Sequence, residues 1–272
     1  MSRSWQVLAS EILLVTTLTA CVPLSTPTPP PLVVGATMVS PIDGQTRVFV
    51  PAGEFKMGDG HHTHEGPVHS VTLNAFWIDQ TEVTNDAYAS CVEIGACQKP
   101  AREDSFTHNP YYGNPAYENY PVIYVTWEDA NMYCTWAGGH LPTEAEWEKS
   151  ARGTDERIYP WGNTIAIEGL LNFNYYVGDT SAVGSFVSGA SPYGAQDMAG
   201  NVNEWAADWY AADYYSVSPS LNPSGPDSGT YRVVRGGSWT NHQFLVRSSL
   251  RLFYKPDSAF FNLGFRCAVS AD

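Results

Sequence analysis

The chain has 272 residues, 43% hydrophobic and only 15% charged, enough apolar material for one large domain or two small ones around a packed core. Fourteen basic against 28 acidic residues give a net charge of −14, a surface that repels phosphate backbones and anionic lipid and argues against nucleic acid as a partner. Nine Trp, sixteen Tyr, 23 Gly and 19 Pro point to loops wrapped around aromatic cores and away from a helical bundle.

The N-terminus reads as a processing segment. Arg3 supplies a weak positive region, and Ile12 to Ala20 is an apolar stretch too short to span a bilayer, with Glu11 at its edge. It ends Leu18-Thr19-Ala20-Cys21, a pattern that resembles a bacterial lipobox, where small residues precede a cysteine to be acylated. Residues 1–20 are therefore expected to be a lipoprotein signal peptide. Cys21 is the expected lipidation site of an exported bacterial lipoprotein, anchored at the extracytoplasmic membrane surface. An ordinary secretory signal with an incidental cysteine is the alternative. Residues 21–40, with the run Pro-Leu-Ser-Thr-Pro-Thr-Pro-Pro-Pro from Pro23 to Pro31, read as an extended tether. Residues 41–272 read as one domain.

Within that domain Arg47 to Gly58 reads as a hairpin with Pro51-Ala52-Gly53 as its turn. A loop from Asp59 to Val68 carries His61, His62 and His64. Val71 to Asp79 alternates as a single strand. Three helices follow. Thr84 caps one through about Glu93, stopped at Gly95. Thr126 and Asp129 form the ends of a capping box for a helix running to Ala137. Thr143 and Glu146 form a second box, for a helix ending near Arg152-Gly153. Ala130, Tyr133, Cys134 and Ala137 repeat at helical spacing, which turns Cys134 inward. After Gly153 the chain is mostly loops punctuated by aromatics. A few short helices on an antiparallel β framework make an α+β domain with little regular secondary structure.

With Cys21 set aside, four cysteines allow three connectivities, and export predicts that they pair. Cys91–Cys97 is local, which leaves Cys134–Cys267 as a long-range staple.

Several motifs resemble the sulfatase-modifying-factor family, whose founding member is the formylglycine-generating enzyme. They are Val50 to Gly58, Glu82-Val83-Thr84-Asn85, Tyr133 to Gly138, Leu141 to Glu148, Tyr159 to Asn163, Gly200 to Trp205, Arg235-Gly236-Gly237-Ser238-Trp239, and Asn262 to Cys267. They stand in family order over roughly residues 47–270. The resemblance implies the formylglycine-generating-enzyme variant of the C-type-lectin-like α+β fold, and it also implies the Cys134–Cys267 pair.

The generating enzymes use two cysteines between Arg-Gly-Gly-Ser and Gly-Phe-Arg to bind copper(I), a soft metal suited to thiolates. Here the first position is Asn241 and the second falls at Leu245 or Val246, so copper is not expected. Ser238 and His242 match pocket positions. Their simpler readings are a hydroxyl that satisfies the Gly-Gly turn and a loop residue.

Asp197 to Glu204 is the expected calcium site. By resemblance Asp197 and Glu204 donate carboxylates, and Gly200 and Val202 donate carbonyls, the hard oxygen set calcium takes. The competing reading is a turn in which Glu204 pairs with an arginine. Asn172, Phe173 and Asp179 form a second expected calcium set, in a loop shorter than the family's. His61, His62 and His64 are crowded too tightly for one ion and read as a solvated loop. Glu144, Glu146 and Glu148 read as helix-capping and N-terminal dipole charges. Trp205, Trp209, Tyr210, Tyr214 and Tyr215 read as packed aromatics rather than a sugar platform.

The resulting expectation is a membrane-anchored, non-catalytic monomer that binds a peptide, protein or glycan through the segment Trp239 to Phe244, with structural calcium. The alternative is an oxidase, either formylglycine-generating or of a related non-haem iron type.

Overall fold

The computed structural model describes Met1 and residues 33–271. The expected signal peptide, the acylation site Cys21 and the proline run lie outside the described residues.

From residue 33 the chain forms β1 (Thr37–Val39), β2 (Thr46–Val50), β3 (Gly53–Met57), β4 (His69–Leu73) and β5 (Phe76–Asp79). The helices α1 (Asn85–Glu93), α2 (Trp127–Trp136) and α3 (Glu144–Arg152) follow. The chain ends with β6 (Asn203–Trp209), β7 (Arg232–Arg235), β8 (Leu252–Tyr254), β9 (Leu263–Gly264) and β10 (Ala268–Ser270). One sheet has the order β1-β2-β5-β10, all antiparallel. A second is the β3-β4 pair. The third runs β8-β7-β6-β9, antiparallel except for β6 beside β9. Thr37–Val39, placed in the tether from sequence, instead pair with Thr46–Val48 as an edge of the first sheet.

Two strand readings are corrected. Pro51-Ala52-Gly53 is not a hairpin turn, because β2 and β3 part there and enter different sheets. The carbonyls of Pro51 and Gly53 are taken by the Lys149 ammonium, at 2.8 and 2.9 Å, which pins the chain at a corner. Val71–Asp79 is two strands rather than one. At Asn74 the backbone N–H donates to the Asn222 side-chain oxygen at 2.8 Å, so the ladder breaks and the chain turns into the other sheet.

The helices follow their local signals. Thr84 Oγ1 accepts from the Ala87 N–H, and both capping boxes, Thr126 with Asp129 and Thr143 with Glu146, close in both directions. Both disulfides form, Cys91–Cys97 and Cys134–Cys267. The second ties α2 to the start of β10 inside a buried cluster with Tyr88, Tyr133, Trp205 and Phe265. Trp147 on α3 centres another, between β2, β3, β4 and β5. Trp205 and Tyr215 are buried, while Trp209, Tyr210 and Tyr214 are half-buried. Trp209 and Trp127 sandwich the Arg232 guanidinium at 3.5 and 3.6 Å.

Glu144 and Glu148 depart from the dipole reading, since both are buried. Arg251 grips Glu144 with two bonds of 2.7 and 2.9 Å, and Arg235 donates to Glu148 at 2.6 Å. Only Glu146 serves as the cap.

Candidate binding site in the closing segment

The segment after β7 is built on two glycines with left-handed backbones, φ +87° at Gly236 and +71° at Gly237. A Cβ on Gly237 would sit 2.2 Å from the Leu245 carbonyl oxygen, so only glycine lets the segment fold back on itself there. Ser238 and Asn241 then lock the turn. Asn241 Oδ1 accepts from the Ser238 N–H at 2.8 Å and from its hydroxyl at 3.0 Å, and Asn262 donates to Ser238 Oγ at 3.0 Å.

The Trp239 ring is buried between Phe106, Tyr175 and Phe261 at centroid distances of 5.3, 5.3 and 5.7 Å. A neighbouring loop zips onto this segment, with the Asn174 N–H donating to the Asn241 carbonyl and the Tyr175 N–H to that of Trp239. The result is an open depression of about 600 Å³ lined by Phe173, Asn174, His242, Gln243 and Phe244. Phe244 on its lining is 60% exposed, and Phe106 and Tyr175, which pack on Trp239, are 60% and 58% exposed. Such apolar exposure in one region marks an interaction surface rather than a core.

Beneath the surface lies Arg247. Its Nε donates to the Phe244 carbonyl at 2.9 Å, and its two terminal nitrogens grip Glu65 at 2.6 and 2.8 Å. Asp59 Oδ2 and His62 Nδ1 also lie 3.1 Å from Nη1. Asp59, His62 and Glu65 bring one ligand atom each within 4.8 Å of one another, but the arginine stands where a metal ion would. The histidine-rich loop is thus clamped at buried Glu65, with His61, His62 and His64 exposed.

The residues expected around copper carry no thiol. Asn241 is absorbed in its turn, Leu245 is half-buried and Val246 is fully buried. All four cysteines among the described residues are in disulfides. Ser238 is buried in the turn network, whereas His242 is exposed on the rim.

The calcium sets fit unevenly. Both oxygens of Glu204 accept from Arg266 at 2.7 Å, and one of them also accepts from the Trp147 indole at 2.8 Å. Asp179 is filled in the same way. Its Oδ2 accepts from the Ser105 hydroxyl and from the N–H and hydroxyl of Thr107, and its Oδ1 from the Thr180 N–H. A carboxylate so occupied does not fit the ligand role. Asn172 Oδ1 has no partner among the described residues, and Phe173 lines the surface depression. Asp197, in left-handed backbone at φ +54°, has one oxygen held by the Gly184 N–H at 2.6 Å, and burial pushes its carboxyl up to about 6. Beside it is Glu82, which the sequence singled out only as part of a motif. Burial, and then the Asp197 charge, raises the Glu82 carboxyl well above the usual range.

Residues 36–271 match the sulfatase-modifying factor enzyme 1-like domain. The chain belongs to that family. It is 34% identical to the formylglycine-generating enzyme of Streptomyces coelicolor over 287 residues, covering 84% of this chain and 90% of that enzyme. It is also 32% identical over 282 residues to the inactive C-alpha-formylglycine-generating enzyme 2 of Mus musculus, covering 82% of this chain and 85% of that protein. PvdO from Pseudomonas aeruginosa superposes with a TM-score of 0.76 at 27% identity, over 89% of this chain and all of PvdO. The fold is therefore the family's α+β, C-type-lectin-like fold. The family includes members named as enzymes and one named as inactive, so membership alone leaves the activity of this chain to its own residues.

Proposed function

We propose that this family member is a non-catalytic binding domain, exported and held at the extracytoplasmic membrane surface by lipid on Cys21, that takes a peptide, protein or glycan ligand on the surface around Trp239. The observation that carries this reading is the absence of any free thiol among the described residues, in a fold whose chemistry by resemblance needs two. Asn241 supports it, since its side-chain oxygen is engaged inside the turn. Exposed Phe244 beside uncharged Asn174, His242 and Gln243, with exposed Phe106 and Tyr175 on Trp239, supports a binding role, because rigid aromatics flanked by amides give contact area at low entropic cost.

The test has two arms. Purified protein offered copper(I), oxygen and a cysteine-containing peptide is expected to retain no stoichiometric copper and to oxidise no peptide. Peptide oxidation would overturn the reading in favour of an oxidase. On peptide and glycan arrays the protein is expected to give hits that Phe244→Ser and Tyr175→Ser abolish. Hits that both variants leave unchanged would move the ligand elsewhere. Metabolic labelling with a radioactive fatty acid is expected to mark the wild type and not Cys21→Ser.

A further inference from the structure

Glu82 is fully buried, and neither of its carboxylate oxygens has a hydrogen-bond partner among the described residues. A carboxylate removed from water without donors is strongly disfavoured unless a cation compensates it. Its charged neighbours are Asp197, Glu204 and Arg266.

Arg266 cannot serve Glu82. A guanidinium has five N–H groups, and each of these already has an acceptor. Nε and Nη2 donate to Glu204, Nη1 to the carbonyls of Asp79 and Gln80, and Nη2 also to the Gln196 carbonyl. Three carboxylates around one guanidinium leave two negative charges in the interior. The Gly184 N–H satisfies one oxygen of Asp197 but brings no charge.

We infer that Glu82 and Asp197 are the carboxylate ligands of a bound calcium ion, and that Glu204 anchors Arg266 and is not a ligand. The charge balance calls for a divalent cation. The side-chain donors are oxygens alone, which selects a hard ion over zinc or copper. Calcium suits a dry, irregular loop region better than magnesium, which keeps several waters in a near-octahedral shell. Backbone carbonyls and water complete the coordination. The ion joins the start of α1, through Glu82, to the loop that precedes β6, through Asp197. Neither segment is tied there by a sheet ladder.

The test uses the full chain. Protein dialysed against buffer containing micromolar calcium is expected to hold one calcium per chain by atomic emission. EDTA is expected to lower the melting temperature by about 5 °C or more, with recovery on adding calcium. Glu82→Gln and Asp197→Asn are expected to melt at one temperature with or without EDTA. A wild-type melting temperature indifferent to both EDTA and calcium would overturn the inference, and so would a Glu82→Gln protein that keeps the wild-type calcium response. Should either variant fail to fold, terbium titration of the EDTA-treated wild type decides. Tryptophan-sensitised luminescence that calcium displaces at one site per chain supports the inference, and its absence overturns it.

Discussion

Arg266 donates to both carboxylate oxygens of Glu204 at 2.7 Å, and both side chains are fully buried, so the final motif of the chain is held to β6 by charge as well as by sheet pairing. Breaking one side of such a pair leaves an uncompensated buried ion and costs about 3–5 kcal/mol. Arg266→Met is expected to lose that much in urea unfolding. Adding Glu204→Gln, whose amide oxygen still accepts from Trp147, is expected to restore part of the loss. Strict additivity of the two substitutions would show that the pair is not coupled.

The two disulfides are expected to differ in worth. Cys134–Cys267 spans 133 residues and Cys91–Cys97 only 6. On the chain-entropy argument, replacing the long-range pair by alanines costs about 5 kcal/mol and the local pair about 2.5 kcal/mol. Equal losses in chemical denaturation would mean that packing around the sulfurs, not loop closure, sets the effect.

Asp208 supplies a pH dependence. Its Oδ2 accepts from the Glu144 N–H at 2.7 Å, and burial, then the Glu144 charge, pushes its carboxyl up to about 8. The unfolded chain releases this proton near the ordinary carboxylate value of about 4. The group's contribution is therefore fully present below about pH 4 and declines as pH rises to about 8. Asp208→Asn keeps an acceptor for Glu144 and removes the titration. Its stability relative to wild type is expected to rise by about 5 kcal/mol between pH 4 and pH 8. Parallel stability curves for the two proteins would rule this out.

Arg247 is expected to be felt at the binding surface. Arg247→Met leaves Glu65 buried without its cation and frees the Phe244 carbonyl. A loss of about 3 kcal/mol is expected, with faster amide exchange across residues 59–68 and 240–246. Unchanged exchange in both segments would mean that the clamp does not order them.

Local signals were legible in the sequence. Each capping box lies within four residues, and a Thr followed by an acid at the third position needs no tertiary knowledge. The cysteine pairing followed from export and elimination. The partition of the strands did not, because Pro51 and Asn74 turn where Lys149 and Asn222, each about a hundred residues or more away, take their backbone groups. The carboxylates were the hardest to read. Glu65 and Arg247 are 182 residues apart, and Glu204 and Arg266 are 62 apart. Periodicity carries no trace of such partners. Glu82 stands in the Glu82-Val83-Thr84-Asn85 motif, but its burial beside Asp197 appears only in three dimensions.

The staple between α2 and β10 also decides what a broken chain would look like. Residues 135–266, including the long loops after α3 and most of the surface around Trp239, lie between Cys134 and Cys267. A protease cut anywhere in that stretch severs the backbone but releases no fragment until the disulfide is reduced. A nicked molecule would run as one species on a non-reducing gel, with its ligand-facing loops still attached to the scaffold that shapes them.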